Sequence, residues 1–158
     1  MEINIIVIIQ HTMFSNLFHT KDKNNKIGYE DVLHAISKMD NYVIINTIAS
    51  ELQTCLIKTT LSVDSETDII NKMVENYQYN SITIIIYGIN SADETMDKKY
   101  KQLVDLGFSK VFIYTGGIFE WLLLQDVYGQ DNFPTTSNTL DILKYKPKGR
   151  LHVQLIKM

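Results

Sequence analysis

Apolar positions along this chain fall into short β-branched runs separated by stretches with helical spacing. "INIIVIIQ" (3–10), "YVIINTI" (42–48), "SITIIIYG" (81–88) and "KVFIYTGG" (110–117) are too short for helices of their own, and each predicts a strand. The second and third are almost continuously apolar, as strands covered on both faces are. Their expected cores are 43–47, 82–87 and 111–114. "CLIKTTLSV" (55–63) predicts a shorter strand or extended segment, and "RLHVQLI" (150–156) alternates as a late strand would.

Helical periodicity fills the gaps. "YEDVLHAISKM" puts Val32, Leu33, Ile36 and Met39 on one face. "SETDIINKMVENY" does the same with Ile69, Ile70, Met73 and Val74, and Ser65 is its expected cap. "ADETMDKKYKQLVDLG" closes at Gly107, and "IFEWLLLQDVYG" closes at Gly129. The helices are therefore expected at 30–39, 66–77, 93–106 and 118–126. Strict alternation of strand and helix implies a three-layer α/β fold, with a central, mostly parallel sheet of four or five strands flanked by helices.

The most solvated stretch, "KDKNNK", marks a linker. It divides the chain into an N-terminal strand and linker (1–27), an α/β domain (28–128) and a C-terminal extension packing on that domain (129–158). The last helix calls for such an extension. Ile118, Phe119, Trp121, Leu122, Leu123, Leu124 and Val127 spread around most of its circumference, and one sheet face cannot cover them all. Residues 130–147 offer Phe133, Leu140, Ile142, Leu143 and Tyr145 as cover. The alternative is an exposed patch around Trp121 used for self-association or for a protein partner.

Composition narrows the function classes. The 158 residues are 45% hydrophobic and 21% charged, enough for one domain with a proper core. The net charge of −3 gives no electrostatic reason to expect nucleic acid, and "KYKPKGR" reads as a small solvated cluster. The first apolar run is far shorter than the roughly 20 residues of a membrane helix. It also lacks the basic start and small-residue cleavage site of a signal peptide. No membrane association is expected, and a cytoplasmic location is. The single cysteine, Cys55, allows neither an intrachain disulfide nor a cysteine-based metal site. His11, His19, His34 and His152 are scattered without ligand spacing, and no P-loop, GxGxxG, HExxH or GxSxG is present, so no metal or cofactor is expected.

The stretch with most chemical interest is "IIIYGINSADE" (84–94), a buried strand that runs into a tight turn and a helix start. Ligands in α/β proteins gather at such strand ends, and a helix N-terminus attracts anions. This loop offers Gly88, Ile89, Asn90, Ser91, Ala92, Asp93 and Glu94, with no nucleophile at the strand end and no Lys or Arg. "SADE" matches a capping box, with Ser91 as the cap and Glu94 three residues on. Asp93 and Glu94 would satisfy the helix dipole from within and repel an incoming anion.

The order of segments resembles a rhodanese domain over about residues 28–125. "LGFSKVFIYTGGIFEW" (106–121) is similar to the family's Leu-Gly-Phe helix end, strand, Gly-Gly and Glu-Trp. "YVIINTIASE" resembles its first core strand, with Asn46 and Ile48 at the positions of the usual Asp-x-Arg. "CLIKTT" stands where the family has Gly-His-Ile-x-Gly-Ala, so that Cys55 falls on a glycine and Leu56 on the histidine. "FEWLLLQDVYG" (119–129) and "FPTT" (133–136) resemble, more narrowly, rhodanese-like proteins of large DNA viruses and some protists, which would place the chain in host-cell cytoplasm or a virion.

The resemblance implies a sulfurtransferase fold whose loop cysteine carries a persulfide, but that position is Gly88. The loop is also about one residue longer than the usual sulfurtransferase loop, as in phosphatases of this fold, which need a cysteine and an arginine absent here. The implied function is a catalytically inactive binding or scaffolding module, with Asn46, Gly88, Asn90 and Ser91 as candidate binding residues. Two alternatives remain open: a sulfurtransferase using Cys55 as a relocated sulfur carrier, and a small-anion binder at loop 88–94.

Overall fold

The computed structural model describes residues 25–151. Its elements are β1 (Lys26–Ile27), α1 (Tyr29–Ser37), β2 (Tyr42–Asn46), α2 (Val63–Glu75), β3 (Thr83–Tyr87), α3 (Thr95–Asp105), β4 (Val111–Tyr114) and α4 (Gly117–Tyr128). Two short 3₁₀ turns, Ser50–Leu52 and Ile142–Tyr145, complete the set. The four strands form one parallel sheet in the order β1-β4-β3-β2. The strand expected at 3–10 and most of that expected at 150–156 lie outside the described residues. Arg150 and Leu151, which begin the latter, are not in a strand.

Alternation along each strand sorts side chains to the two faces of the sheet. Ile44, Ile85, Tyr87 and Tyr114 join one core with Val32 and Ala35 of α1 and with Ile118, Trp121 and Leu122 of α4. Ile45, Ile84, Ile86, Val111 and Ile113 join the other with Ile70 and Met73 of α2 and with Met96 and Leu103 of α3. The result is the three-layer α/β architecture expected from the sequence.

Several local expectations need correction. β1 has only two residues, Lys26↔Ile113 and Ile27↔Tyr114 in register, and lacks any hydrophobic run of its own. α1 ends at Ser37, which leaves Met39 beyond the helix and exposed instead of on its apolar face. α2 starts earlier than expected: Ser62, not Ser65, is the cap, and its hydroxyl accepts the Ser65 N–H at 3.2 Å. Ser65 sits one turn too deep to cap. Residues 55–63 form no strand. They touch the sheet through an isolated parallel bridge, Ile44↔Thr60, and meet the tail through an antiparallel one, Ile57↔Thr135.

A tyrosine hydroxyl holds that segment in place. The Ile57 N–H donates to Tyr87 Oη at 3.2 Å, Tyr87 Oη lies 2.9 Å from Thr60 Oγ1, and Thr60 Oγ1 donates to the Ile57 carbonyl at 2.6 Å. Every polar atom in this buried ring has a partner, as burial requires. The ring closes over Thr59, whose φ of +68° is strained for a β-branched residue.

The tail then covers the other side of the segment. Lys58 N–H donates to the Pro134 carbonyl at 3.1 Å, and Thr136 N–H to the Leu56 carbonyl at 2.8 Å. Phe133 stacks edge-on against Trp121, with ring centroids 5.2 Å apart, and Trp121 Nε1 donates to the Pro134 carbonyl. Gln125 Nε2 reaches the Phe133 carbonyl at 2.6 Å. Tyr145 is fully buried and Ile142 partly so, but Leu140 and Leu143 point to solvent and cover nothing. The 3₁₀ turn at 142–145 can aim only part of its circumference inward.

Burial pushes the phenols of Tyr87 and Tyr114 well above the usual tyrosine range, and the Glu120 carboxylate adds to the effect on Tyr114. Unfolding releases both to ionise near pH 10. The native state therefore keeps protons that the unfolded chain loses, and stability falls as pH rises above about 10. Urea unfolding at pH 8 and pH 11 should show this loss. Phenolate absorbance from two tyrosines should appear only with unfolding, and full titration of all tyrosines in the native state would refute the assignment.

Candidate functional site

The helix after β3 lies on one face of the sheet and the helix after β4 on the other. The carboxyl ends of these neighbours are thus the topological switch point, where α/β sheets open a crevice for ligands. Here the crevice is filled by backbone. Ile118 N–H donates to the Gly88 carbonyl and Phe119 N–H to the Ile89 carbonyl, both at 3.0 Å. These are orphan donors of the first turn of α4, which a helix must otherwise leave to water or a ligand.

Gly117 makes the approach possible. Its φ is +63°, and a Cβ there would lie 2.6 Å from the Gly88 carbonyl oxygen and 2.8 Å from Asn90 N. The left-handed conformation and the space both exclude a side chain.

Several of the loop's own N–H groups are also taken. Asp93 folds back so that one carboxylate oxygen accepts the Ile89 N–H at 2.9 Å, while the other accepts the Thr95 N–H at 2.9 Å and the Thr95 hydroxyl at 2.5 Å. Asn90 is buried: its Oδ1 accepts the Ala92 N–H at 3.0 Å, and its Nδ2 donates to the Tyr145 carbonyl at 2.8 Å. The capping box expected from Ser91 and Glu94 does not form. α3 begins at Thr95, Glu94 holds the cap position without a side-chain bond, and Asp93 supplies the oxygen. Two acidic residues in sequence gave the composition of a cap but not which of them turns inward.

Asp93 also occupies the space a residue 88 side chain would need. A Cβ built on Gly88 would lie 2.9 Å from Asp93 Cγ and 3.0 Å from Met96 Cγ, and closer still to Asp93 Oδ2. Ser91 and Ala92 are exposed at the tip, and Ile89 is partly buried against the core. Asn46 is buried at the end of β2, paired in register with Tyr87, and its Oδ1 accepts the Ile48 N–H at 3.0 Å. That bond makes Asn46 a local turn former. Thr47, missed in the sequence, reaches the loop instead: its Oγ1 lies 2.7 Å from Thr95 Oγ1, whose proton goes to Asp93.

Cys55 is completely buried, and its thiol donates to the Ser137 carbonyl at 3.0 Å. This is the position of a small core hydrophobe with a satisfied S–H. Among the described residues, no group of three or more His, Cys, Asp or Glu side chains is arranged to hold a metal ion. No helix among them is long and apolar enough to cross a membrane.

Gly117→Ala combines forced left-handed backbone with a main-chain clash, and should cost about 3 kcal/mol or more. Chemical denaturation would measure this, and a loss under about 1 kcal/mol would mean that the loop yields more easily than its hydrogen bonds imply.

No protein-family model matches the sequence, and no curated protein does. Solved structures do. Ygr203w, described as a yeast protein tyrosine phosphatase of the rhodanese family, aligns with a TM-score of 0.55 at 13% identity, covering 77% of this chain and 99% of its own. The rhodanese-like domain of Alr3790 from Anabaena sp. aligns at 0.51 with 17% identity, covering 81% and 88%. BH2092 from Bacillus halodurans aligns at 0.51 with 20% identity, covering 77% and 80%. At such identities the likeness speaks of architecture alone, and that architecture is the rhodanese fold.

Proposed function

We propose that this chain is a rhodanese-fold module that works by binding or scaffolding and not by sulfur or phosphoryl transfer. The observation that carries the reading is the Asp93 carboxylate lodged beside Gly88, where a catalytic side chain would have to stand. Persulfide carriage and phosphocysteine chemistry both need a thiolate at the strand end. An anionic donor needs free N–H groups or cations, but Asp93 and Asn90 already hold the N–H groups of Ile89, Ala92 and Thr95. The same carboxylate weighs against the small-anion reading. The burial of Cys55 and its bond to Ser137 weigh against a relocated sulfur carrier. The narrower kinship with rhodanese-like proteins of large DNA viruses and protists, and a cytoplasmic location, belong to this proposal and rest on the sequence resemblance.

A contact surface for a protein partner or a second copy is available on the outer side of α4. Leu123, Val127 and Tyr128 are exposed there, at 42%, 71% and 60% of their full accessibility. Exposed apolar clusters of this kind mark interfaces. Val127→Asp should abolish any concentration-dependent increase in sedimentation coefficient while leaving the melting temperature unchanged. Association that survives the substitution would move the interface elsewhere.

The purified chain should turn over neither thiosulfate with cyanide nor an aryl phosphate. Gly88→Cys should remain inactive and lose about 1–3 kcal/mol of stability, because the new Cβ meets the Asp93 carboxylate. The nearby acid also raises the pKa of any thiol placed there. Turnover by the wild-type chain, or robust turnover by this single variant, would sink the non-catalytic reading.

A further inference from the structure

A cavity of about 440 Å³ lies at the amino ends of the strands, opposite the Gly88 loop. α1 packs toward β2, and α4 covers the carboxyl half of the same face around Tyr87 and Tyr114. Neither helix closes over the lower part of β3 and β4. The floor is apolar: Ile27, Tyr42 and Phe112 are half-buried there, with the buried Ile85 beneath them. Its volume falls within the range of about 300–1,000 Å³ typical of small-molecule sites.

Four residues with polar side chains line the cavity: Asp31 and His34 from α1, with Thr83 and Lys110 from the strand starts. The ion pair formed among the described residues is Lys99 with Glu66, so no carboxylate of theirs stands within ion-pair distance of the Lys110 ammonium. His34 stands edge-on to Tyr42, with ring centroids 5.7 Å apart, which fixes the imidazole at the rim. Asp31 is the one anionic group. Its carboxylate accepts the Gly28 N–H at 3.4 Å in the first turn of α1, where the positive end of the helix offsets its charge. The balance of free donors thus favours an anion above an apolar floor.

We propose that this cavity binds a small amphiphilic carboxylate. The carboxylate lies toward Lys110 and His34 with Thr83 as a further donor, and the apolar body lies over Tyr42 and Phe112. The site is independent of the Gly88 loop, and its fate does not depend on whether that loop is catalytic.

Isothermal titration of the full chain with octanoate, octylamine and octanol tests the assignment. Octanoate should bind saturably at one per chain, well ahead of the amine and the alcohol. Lys110→Gln should weaken it about tenfold or more, as expected for the loss of a charge-assisted bond. Asp31→Asn should tighten it several-fold, since an opposing charge is removed. Both positions are exposed, and unchanged circular dichroism confirms that each variant folds. Amide shifts should map to 83–85 and 110–112. No saturable octanoate binding by the full chain, equal binding of octylamine, indifference to Lys110→Gln, or shifts confined to the outer side of α4 would each overturn the proposal.

Discussion

Two N–H groups at the start of α4 donate to two carbonyls at the end of β3, and the close approach this needs is possible because residue 117 carries no side chain. The contact does three things together. It satisfies donors that a helix terminus leaves open. It sets the direction of α4, so that Ile118, Trp121 and Leu122 fall on the sheet. It also fills the crevice that the strand order creates between β3 and β4. The carboxyl end of the sheet is therefore solid where α/β folds commonly keep a ligand site.

A second layer of order grows from Trp121 outward. Phe133 packs on its ring, the Pro134 carbonyl takes its indole N–H, and residues 133–137 then pair with 54–58. The Tyr87 hydroxyl holds that same segment from below. Residues more than 70 positions apart in sequence are thus joined by hydrogen bonds instead of by a regular strand. Such irregular backbone can be buried only if its polar atoms find partners one by one.

This explains what the sequence made legible. The three long strands and four helices could be read because each has its own period, and the apolar runs at 84–86 and 43–45 permit little else. β1 could not be read: Lys26 and Ile27 join the sheet through backbone bonds to β4, which no side-chain pattern encodes. Residues 55–63 looked like a strand because Leu56 and Ile57 are buried, but their partners are Tyr87 and the tail. In the loop, the glycine, asparagine and two acids were visible as capping material. Which acid would cap depended on the position of Gly88, since only Asp93 finds empty space there. Asn46, a candidate binding residue in the sequence, closes a turn on its own strand, and the neighbouring Thr47, which the sequence did not single out, is the one that reaches Thr95.

The mutual fit of Gly88 and Asp93 has a consequence for how such a loop can change. A side chain added at 88 collides with the carboxylate, and removing the carboxylate leaves the Ile89 and Thr95 N–H groups without their acceptor. Each step toward a thiol-bearing loop is therefore unfavourable alone, and only the pair of changes reaches a relaxed arrangement. Random substitution crosses such a barrier rarely. A loop of this type, once formed, tends to persist under selection for stability alone, whatever the surrounding surface comes to bind.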